Sequence, residues 1–296
     1  MKKTEIDHVQ ISESSYVTVT QMGHLVEVQH MEKTNRTCHI QKLDSERYVD
    51  KETGEIRFFD RTENRSEGLN SLRQTFKKMR YLINNNFFGA KNELFVTLTF
   101  RGDLQTNDHI RIGKDYDRFL KRLKRYYKGQ TTIDAIRVIE PHATGNWHLH
   151  VLLRFNDLES IYIPNETLRD IWGNGWVVIQ SLKDVDNIGA YVSAYLTDVE
   201  VTDENIMQFI NKEIEVKETD GKYFAKGARL FYYPPGMNIY AKTKGIKYPE
   251  RTEMTYAKAK KIVGAATPHY KKSIAISDEE KDFFNTITYE QYNMKR

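Results

Sequence analysis

The strongest constraint on the fold of this chain is the spacing of its apolar residues, which changes repeatedly between residues 94 and 196. Side chains in Leu94–Phe100 alternate between two faces, as in a β-strand. In residues 113–127 the apolar positions instead recur every three or four residues, as in an amphipathic helix. The same patterns predict further strands at 133–139, 147–155 and 175–182, and further helices at 165–172, at 185–196 and from Ser66 to Ile83. Strands interleaved with helices around a hairpin predict an α+β fold, with a central, mostly antiparallel sheet and flanking helices.

The two ends of the chain have weaker patterns. Tyr16–Thr20 and His24–Val28 alternate with period two and are separated by Gly23, which predicts a hairpin. Gly54 is expected in a turn between short strands. We expect an N-terminal β-rich extension, a core, and a C-terminal extension whose role the sequence does not indicate, at 1–65, 66–198 and 199–296. Within the last segment, residues 203–220 are expected to be helical or linking, and the final forty residues to form loosely packed helices.

Composition limits the function classes only loosely. Lys and Arg (45) exceed Asp and Glu (41), so the net charge of +4 permits nucleic-acid binding without arguing for it. The single Cys38 cannot form an internal disulfide, and no apolar run approaches a membrane span or a signal peptide. We therefore expect a cytoplasmic protein that does not bind a membrane. The sequence also has no GxxxxGK[ST] loop, which argues against a nucleotide cofactor and an ATP-driven motor.

Two histidines and a glutamate form the sharpest local feature. His148 and His150 are two residues apart on a predicted strand, so their side chains point to the same face. A three-residue hairpin loop ending in glycine would place Glu140 of the preceding strand opposite His148. Such a set suits a catalytic divalent ion, with Mn²⁺ favoured and Mg²⁺ or Zn²⁺ as alternatives. The other interpretation is that the histidines only pack or lie exposed at a sheet edge. His142 is a lesser ligand candidate.

Tyr191 and Tyr195 lie four residues apart on a predicted helix, so their hydroxyls are expected to be neighbours on one face. Two aromatic residues at this spacing usually belong to a core or its rim. A tyrosyl oxygen can also attack a phosphodiester and form a covalent bond, provided that a bound metal ion makes the phosphorus more electrophilic. The chemical interpretation of the pair therefore depends on the metal site.

Three motifs in this order resemble those of the HUH endonuclease superfamily, specifically the rolling-circle replication initiators of bacterial plasmids and phages. Phe95–Phe100 resembles the first motif, a strand of the sheet. Glu140 with His148-Leu-His150 resembles the second, in which the carboxylate is the third metal ligand. Tyr191-Val-Ser-Ala-Tyr195 resembles the third, which carries the nucleophile. The motifs span residues 94–198, and weaker similarity extends over 65–87 and 230–249.

The resemblance implies a HUH-type palm of ferredoxin-like or RRM-like topology and a metal-dependent endonuclease. Such an enzyme nicks and rejoins single-stranded or hairpin origin DNA through a 5′-phosphotyrosine, with a host helicase and polymerase as partners. Tyr191 would be the primary nucleophile, and Tyr195 a second nucleophile or a packing residue. Family members commonly have a lysine where this chain has Ala194, and Lys183 is a candidate substitute.

Two alternatives follow from the same residues. A HUH transposase or relaxase would use the same chemistry, although relaxases usually place the nucleophile ahead of the histidines. A non-catalytic origin-binding protein that retains the fold would account for Ala194.

Basic and aromatic residues are the candidates for DNA contact. The predicted helix 113–127 carries Lys121, Arg122, Lys124 and Arg125, which could bind phosphates, although a charged helix face is usually only solvated. Trp147, Trp172 and Trp176 could stack on unpaired bases. Packing in the core is the expected role of each tryptophan.

Overall fold

The computed structural model describes residues 2–34, 39–44, 46–59, 69–142, 146–183, 185, 187–202, 216–219, 221–225, 227–234, 236–278 and 283–295. The chain divides into two compact units, one formed by residues 1–63 and 250–296 and the other by residues 64–249. Strands from both ends of the chain share one sheet of the first unit. The three-part division made from the sequence stays a prediction.

The secondary structure consists of short strands and five helices in the described residues. The strands are β1 (Lys2–Ile6), β2 (Tyr16–Met22), β3 (Leu25–Met31), β4 (Ile40–Lys42), β5 (Arg47–Asp50), β6 (Ile56–Phe58), β7 (Glu93–Phe100), β8 (Ile133–Glu140), β9 (His148–Phe155), β10 (Gly175–Gln180), β11 (Val199–Glu200), β12 (Val216–Thr219), β13 (Lys222–Ala225), β14 (Tyr240–Lys242), β15 (Arg251–Thr255), β16 (Pro268–Asp278) and β17 (Phe283–Asn293). The helices are α1 (Leu69–Asn84), α2 (His109–Tyr126), α3 (Asn165–Trp172), α4 (Ile188–Thr197) and α5 (Tyr256–Val263).

The unit formed by the two ends of the chain contains a six-stranded antiparallel sheet in the order β1-β16-β17-β3-β2-β15. The predicted hairpin around Gly23 is confirmed as β2 and β3, and Gly54 has a positive φ of 73° between β5 and β6. The prediction of loosely packed helices in the final forty residues is wrong, because β16 and β17 pair there. Polar residues in these strands are buried and bonded to one another, as Ser273 Oγ and Thr288 Oγ1 are at 3.0 Å, so the strands lack the apolar alternation that would reveal them.

The second unit is built on a five-stranded antiparallel sheet in the order β10-β7-β9-β8-β14. Its first four strands and two helices follow the chain as β7-α2-β8-β9-α3-β10, which is the β-α-β-β-α-β arrangement of ferredoxin-like folds. The predicted α+β fold with a mostly antiparallel sheet is thereby confirmed. Strands β11, β12 and β13 form a separate small sheet in this unit.

Helices cover both faces of this sheet. On one face, Trp172 of α3 contacts Phe119 of α2 and Phe100 of β7, with ring centroids 5.9 and 5.1 Å apart. On the other face, α1 and α4 pack together, and Asn84 Oδ1 accepts a hydrogen bond from the Gly189 amide. A Cβ at Gly189 would lie 2.6 Å from the Arg80 carbonyl oxygen, so this close approach of α1 and α4 requires glycine.

Two helices begin at residues other than those predicted. Helix α2 starts at His109, earlier than expected, because the Asp108 carboxylate accepts hydrogen bonds from the amides of Ile110 and Arg111 and caps its first turn. Helix α4 starts at Ile188 rather than 185, and the predicted start at Ser66 lies outside the described residues. None of the helices in the described ranges is long and apolar enough to cross a membrane.

Candidate active site

The β8–β9 hairpin brings the predicted glutamate and histidines together. Glu140 is paired directly with His148, and Val138 with His150, which confirms the register expected from the sequence. The loop at 143–145 lies outside the described residues. Glu140, His148 and His150 therefore share one face of the sheet, which we call the histidine face.

His150 is buried, with 5% of its surface exposed, and is bonded on both sides. Its Nε2 lies 2.6 Å from Oε2 of Glu140, and its Nδ1 lies 3.1 Å from Oγ1 of Thr97 on β7. An ionised carboxylate can only accept, so Nε2 donates; in a neutral imidazole Nδ1 then accepts from the Thr97 hydroxyl. The ring also stacks on Phe95 with centroids 5.5 Å apart. These contacts fix the orientation of the imidazole.

His142 and His148 approach the same carboxylate from its more exposed side. His142 Nε2 is 3.4 Å from Oε1 of Glu140, and His148 Nδ1 is 4.0 Å from Oε2. Ligand atoms of Glu140, His142 and His148 all lie within 4.8 Å of one another, so this cluster could hold a metal ion. It shares two members with the set expected from the sequence, and contains His142 where that set has His150.

Arg229 is a site residue that the sequence did not reveal. It lies in a short 3-10 helix at Ala228–Tyr232, and its Nη1 is 2.9 Å from Oε1 of Glu140. The guanidinium also donates to the carbonyl oxygens of Pro141 and Asp198, each at 3.1 Å. Only 9% of Arg229 is exposed. The only sequence signal was the weak similarity at 230–249, which begins one residue later.

These charges act on the ionisation of the site. Burial alone would raise the pKa of Glu140, but hydrogen bonds from His142 and His150 and the charges of His150 and Arg229 lower that pKa well below its ordinary value. Burial, and next the neighbouring His142, lower the pKa of His148 to about 4, although Glu140 opposes the shift. At neutral pH the site thus has an ionised carboxylate beside a neutral His148 imidazole, the forms in which both groups bind metals.

The predicted nucleophile lies on α4, which packs on the histidine face. The ring of Tyr191 meets Phe95 edge to face with centroids 6.1 Å apart, and Phe95 is the same ring on which His150 stacks. Tyr191 is half-buried. The side chains of Tyr195 and Ala194 lie outside the described residues.

The predicted DNA-binding residues are not brought to the histidine face. Lys121, Arg122, Lys124 and Arg125 are exposed on α2, which packs on the opposite face of the sheet. Arg122 Nη2 donates to the Trp172 carbonyl oxygen at 2.7 Å. A role of this helix in DNA contact stays a prediction and would concern DNA away from Glu140.

The tryptophans and the basic residues near the site differ in exposure. Trp147 and Trp172 are buried in the core as expected, whereas Trp176 has 63% of its surface exposed. Lys183 is exposed in the segment between β10 and α4, and the cation that contacts Glu140 is Arg229.

Comparison with known families places these residues in a replication context. Residues 93–200 match the model of a family of replication-associated proteins, the ORF2 family. The matched segment contains the hairpin with Glu140 and both predicted histidine ligands, and also Tyr191 and Tyr195. This match supports a replication initiator of the Rep type. No curated protein matches the chain.

Proposed function

We propose that this chain is a HUH-type endonuclease and strand transferase that initiates rolling-circle replication of a bacterial plasmid or phage. The observation that carries the proposal is the position of Glu140, flanked by three histidines, inside the segment that matches the replication-associated family. Tyr191 adds to it, because its helix packs on the same face through Phe95.

The proposed ligands of the ion are Glu140, His148 and His150, with His142 as the competing third ligand. Carboxylate and imidazole donors fit Mn²⁺, with Mg²⁺ as the alternative. When bound, a divalent ion would polarise a phosphoryl oxygen and stabilise the charge that develops on it. Arg229 and Thr97 would hold the carboxylate and one imidazole in place from behind, as residues around metal ligands commonly do.

Tyr191 is the proposed nucleophile. Its phenolic oxygen would lose its proton and form a bond to the scissile phosphorus, while the bond from phosphorus to the 3′ oxygen breaks. The products are a 5′-phosphotyrosyl enzyme and a 3′-OH from which a host polymerase extends. Since the phosphotyrosine keeps the energy of the broken linkage, rejoining by the reverse reaction needs no ATP, and strand separation would fall to a host helicase. Such a protein would act in the cytoplasm.

The test is formation of a covalent adduct. The full chain is incubated with labelled single-stranded origin DNA and Mn²⁺, and adducts are resolved on denaturing gels. We expect an adduct with the native chain and with Tyr195→Phe, and none with Tyr191→Phe or in EDTA. If each single tyrosine variant leaves the adduct yield intact, the nucleophile assignment is wrong.

The same assay separates the alternatives. Ala194 favours a non-catalytic origin-binding protein, which would bind the DNA without forming an adduct and without needing a metal ion. His148→Ala is therefore informative: loss of cleavage with unchanged DNA binding excludes pure binding. A transposase or relaxase would form the same adduct, so transposon-end and transfer-origin DNA are compared with replication-origin DNA.

A further inference from the structure

Trp176 has an environment unlike that of the other two tryptophans. It lies on the edge strand β10 and is largely exposed, whereas Trp147 and Trp172 have 6% and 0% of their surfaces exposed. Next to it, a Cβ at Gly175 would lie 2.2 Å from the Thr99 carbonyl oxygen, so glycine is needed for the close pairing of β10 with β7. The Trp176 ring is thus carried by a rigid strand and is not part of a mobile loop.

A cleft of about 450 Å³ opens beside this ring. Its walls are formed by Arg101, Arg169, Asp170, Gly173, Gly175 and Trp176. Arg101 pairs with Asp103 at 3.0 Å and Arg169 with Asp170 at 3.4 Å, and all four side chains are exposed. Exposed pairs of this kind contribute little to stability, so either guanidinium can turn to a phosphate at low cost. An aromatic ring between two guanidinium groups is the combination that binds a base and its phosphate.

The register of the sheet relates this cleft to the candidate active site. Trp176 pairs with Thr99, and Glu140 pairs with His148. The pairing of Leu98 with Leu149, continued by one residue, sets Thr99 opposite His148. The four residues therefore form one row across the histidine face. Neighbouring strands are about 4.8 Å apart, so the backbone at Trp176 lies only about 10 Å from that at His148.

We propose that Trp176 is a base-stacking subsite for single-stranded DNA, with Arg101 and Arg169 as its phosphate contacts. The stacked base belongs to a nucleotide near the scissile phosphate, because the ring and the metal ligands share a row of the sheet. This inference rests on the proposed function for the identity of the strand. It adds a point at which unpaired DNA is held on the histidine face, which the basic helix α2 on the opposite face does not supply.

The test measures binding without cleavage. The full chain is titrated in EDTA with a short fluorescein-labelled oligo-dT strand, and affinity is read from anisotropy. We expect Trp176→Ala to weaken binding at least about fivefold, the lower end for loss of one stacked base. Trp176→Phe keeps a ring and should stay within about twofold of the native chain. Tyr162→Ala removes an aromatic residue that is 84% exposed and does not line the cleft, so it should bind like the native chain.

Intrinsic fluorescence gives a second readout, because the exposed tryptophan should account for most of the quenching by unlabelled oligo-dT. That quenching should disappear in Trp176→Phe while the affinity remains. Native affinity of Trp176→Ala overturns the subsite, as does a change of oligomeric state without an effect on DNA, which would assign the ring to a protein contact. Failure of adduct formation with Mn²⁺ while Trp176-dependent binding persists would refute the nicking function and leave the subsite standing.

Discussion

The buried ion pair between Arg229 and Glu140 allows a quantitative prediction. The two side chains are 2.9 Å apart, and each residue has less than a tenth of its surface exposed. Arg229→Met keeps much of the side-chain volume but removes the charge and the bonds to the Pro141 and Asp198 carbonyl oxygens. Removing one partner of a buried pair costs about 3–5 kcal/mol, because the other charge stays buried without compensation. We expect a loss of that size in the free energy of unfolding.

The companion variant Glu140→Gln makes the prediction sharper. If the cost of Arg229→Met comes mainly from the uncompensated carboxylate, the double variant should lose less than the sum of the single variants, by about 1–3 kcal/mol. Arg169→Met removes an arginine whose partner Asp170 is exposed, and should change stability by no more than about 0.5 kcal/mol.

Urea denaturation followed by tryptophan fluorescence measures these changes, because all three tryptophans lie within residues 64–249 and report on that unit. The measurements are made in EDTA, so that no bound ion replaces the charge of Arg229. A cost below about 1 kcal/mol for Arg229→Met, or a double variant that is additive within about 0.5 kcal/mol, would refute the reasoning.

Three further predictions concern the same site. Tyr191→Phe should abolish the covalent DNA adduct, and Tyr195→Phe should leave it, as read on denaturing gels. His150→Ala should weaken Mn²⁺ binding at least about tenfold in calorimetry and His142→Ala much less; the reverse ranking would make His142 the third ligand. Because the pKa of His148 falls from 6.5 to about 4 on folding, the unfolded chain binds an extra proton between these values, and stability in EDTA should fall by up to about 3 kcal/mol as the pH drops through this window. Denaturation of His148→Gln should show a weaker pH dependence; an unchanged one would contradict the assignment.

Local patterns in the sequence were sufficient for the central part of the molecule. Period-two and period-3.6 spacings predicted β7 to β10 with α2 and α3 between them, since each of these elements buries an apolar face of its own. The two-residue spacing of His148 and His150, with a short loop back to Glu140, also predicted the register that the hairpin adopts. These features depend on residues close together in the chain, where the geometry of a single strand or hairpin sets the outcome.

Features that depend on distant segments could only be found in the tertiary structure. Arg229 reaches Glu140 from 89 positions along the chain, and no local pattern distinguishes it from other arginines. The strands at the end of the chain were missed because their polar residues are satisfied by partners across the sheet. The exposure of Trp176 and its place in the row with His148 follow from strand order, which joins β10 to β7 and leaves the edge of β10 open. The sequence by itself determined which groups could carry out chemistry, and tertiary packing decided which of them meet and which lie open to a ligand, because burial and contact depend on every segment that folds against a residue.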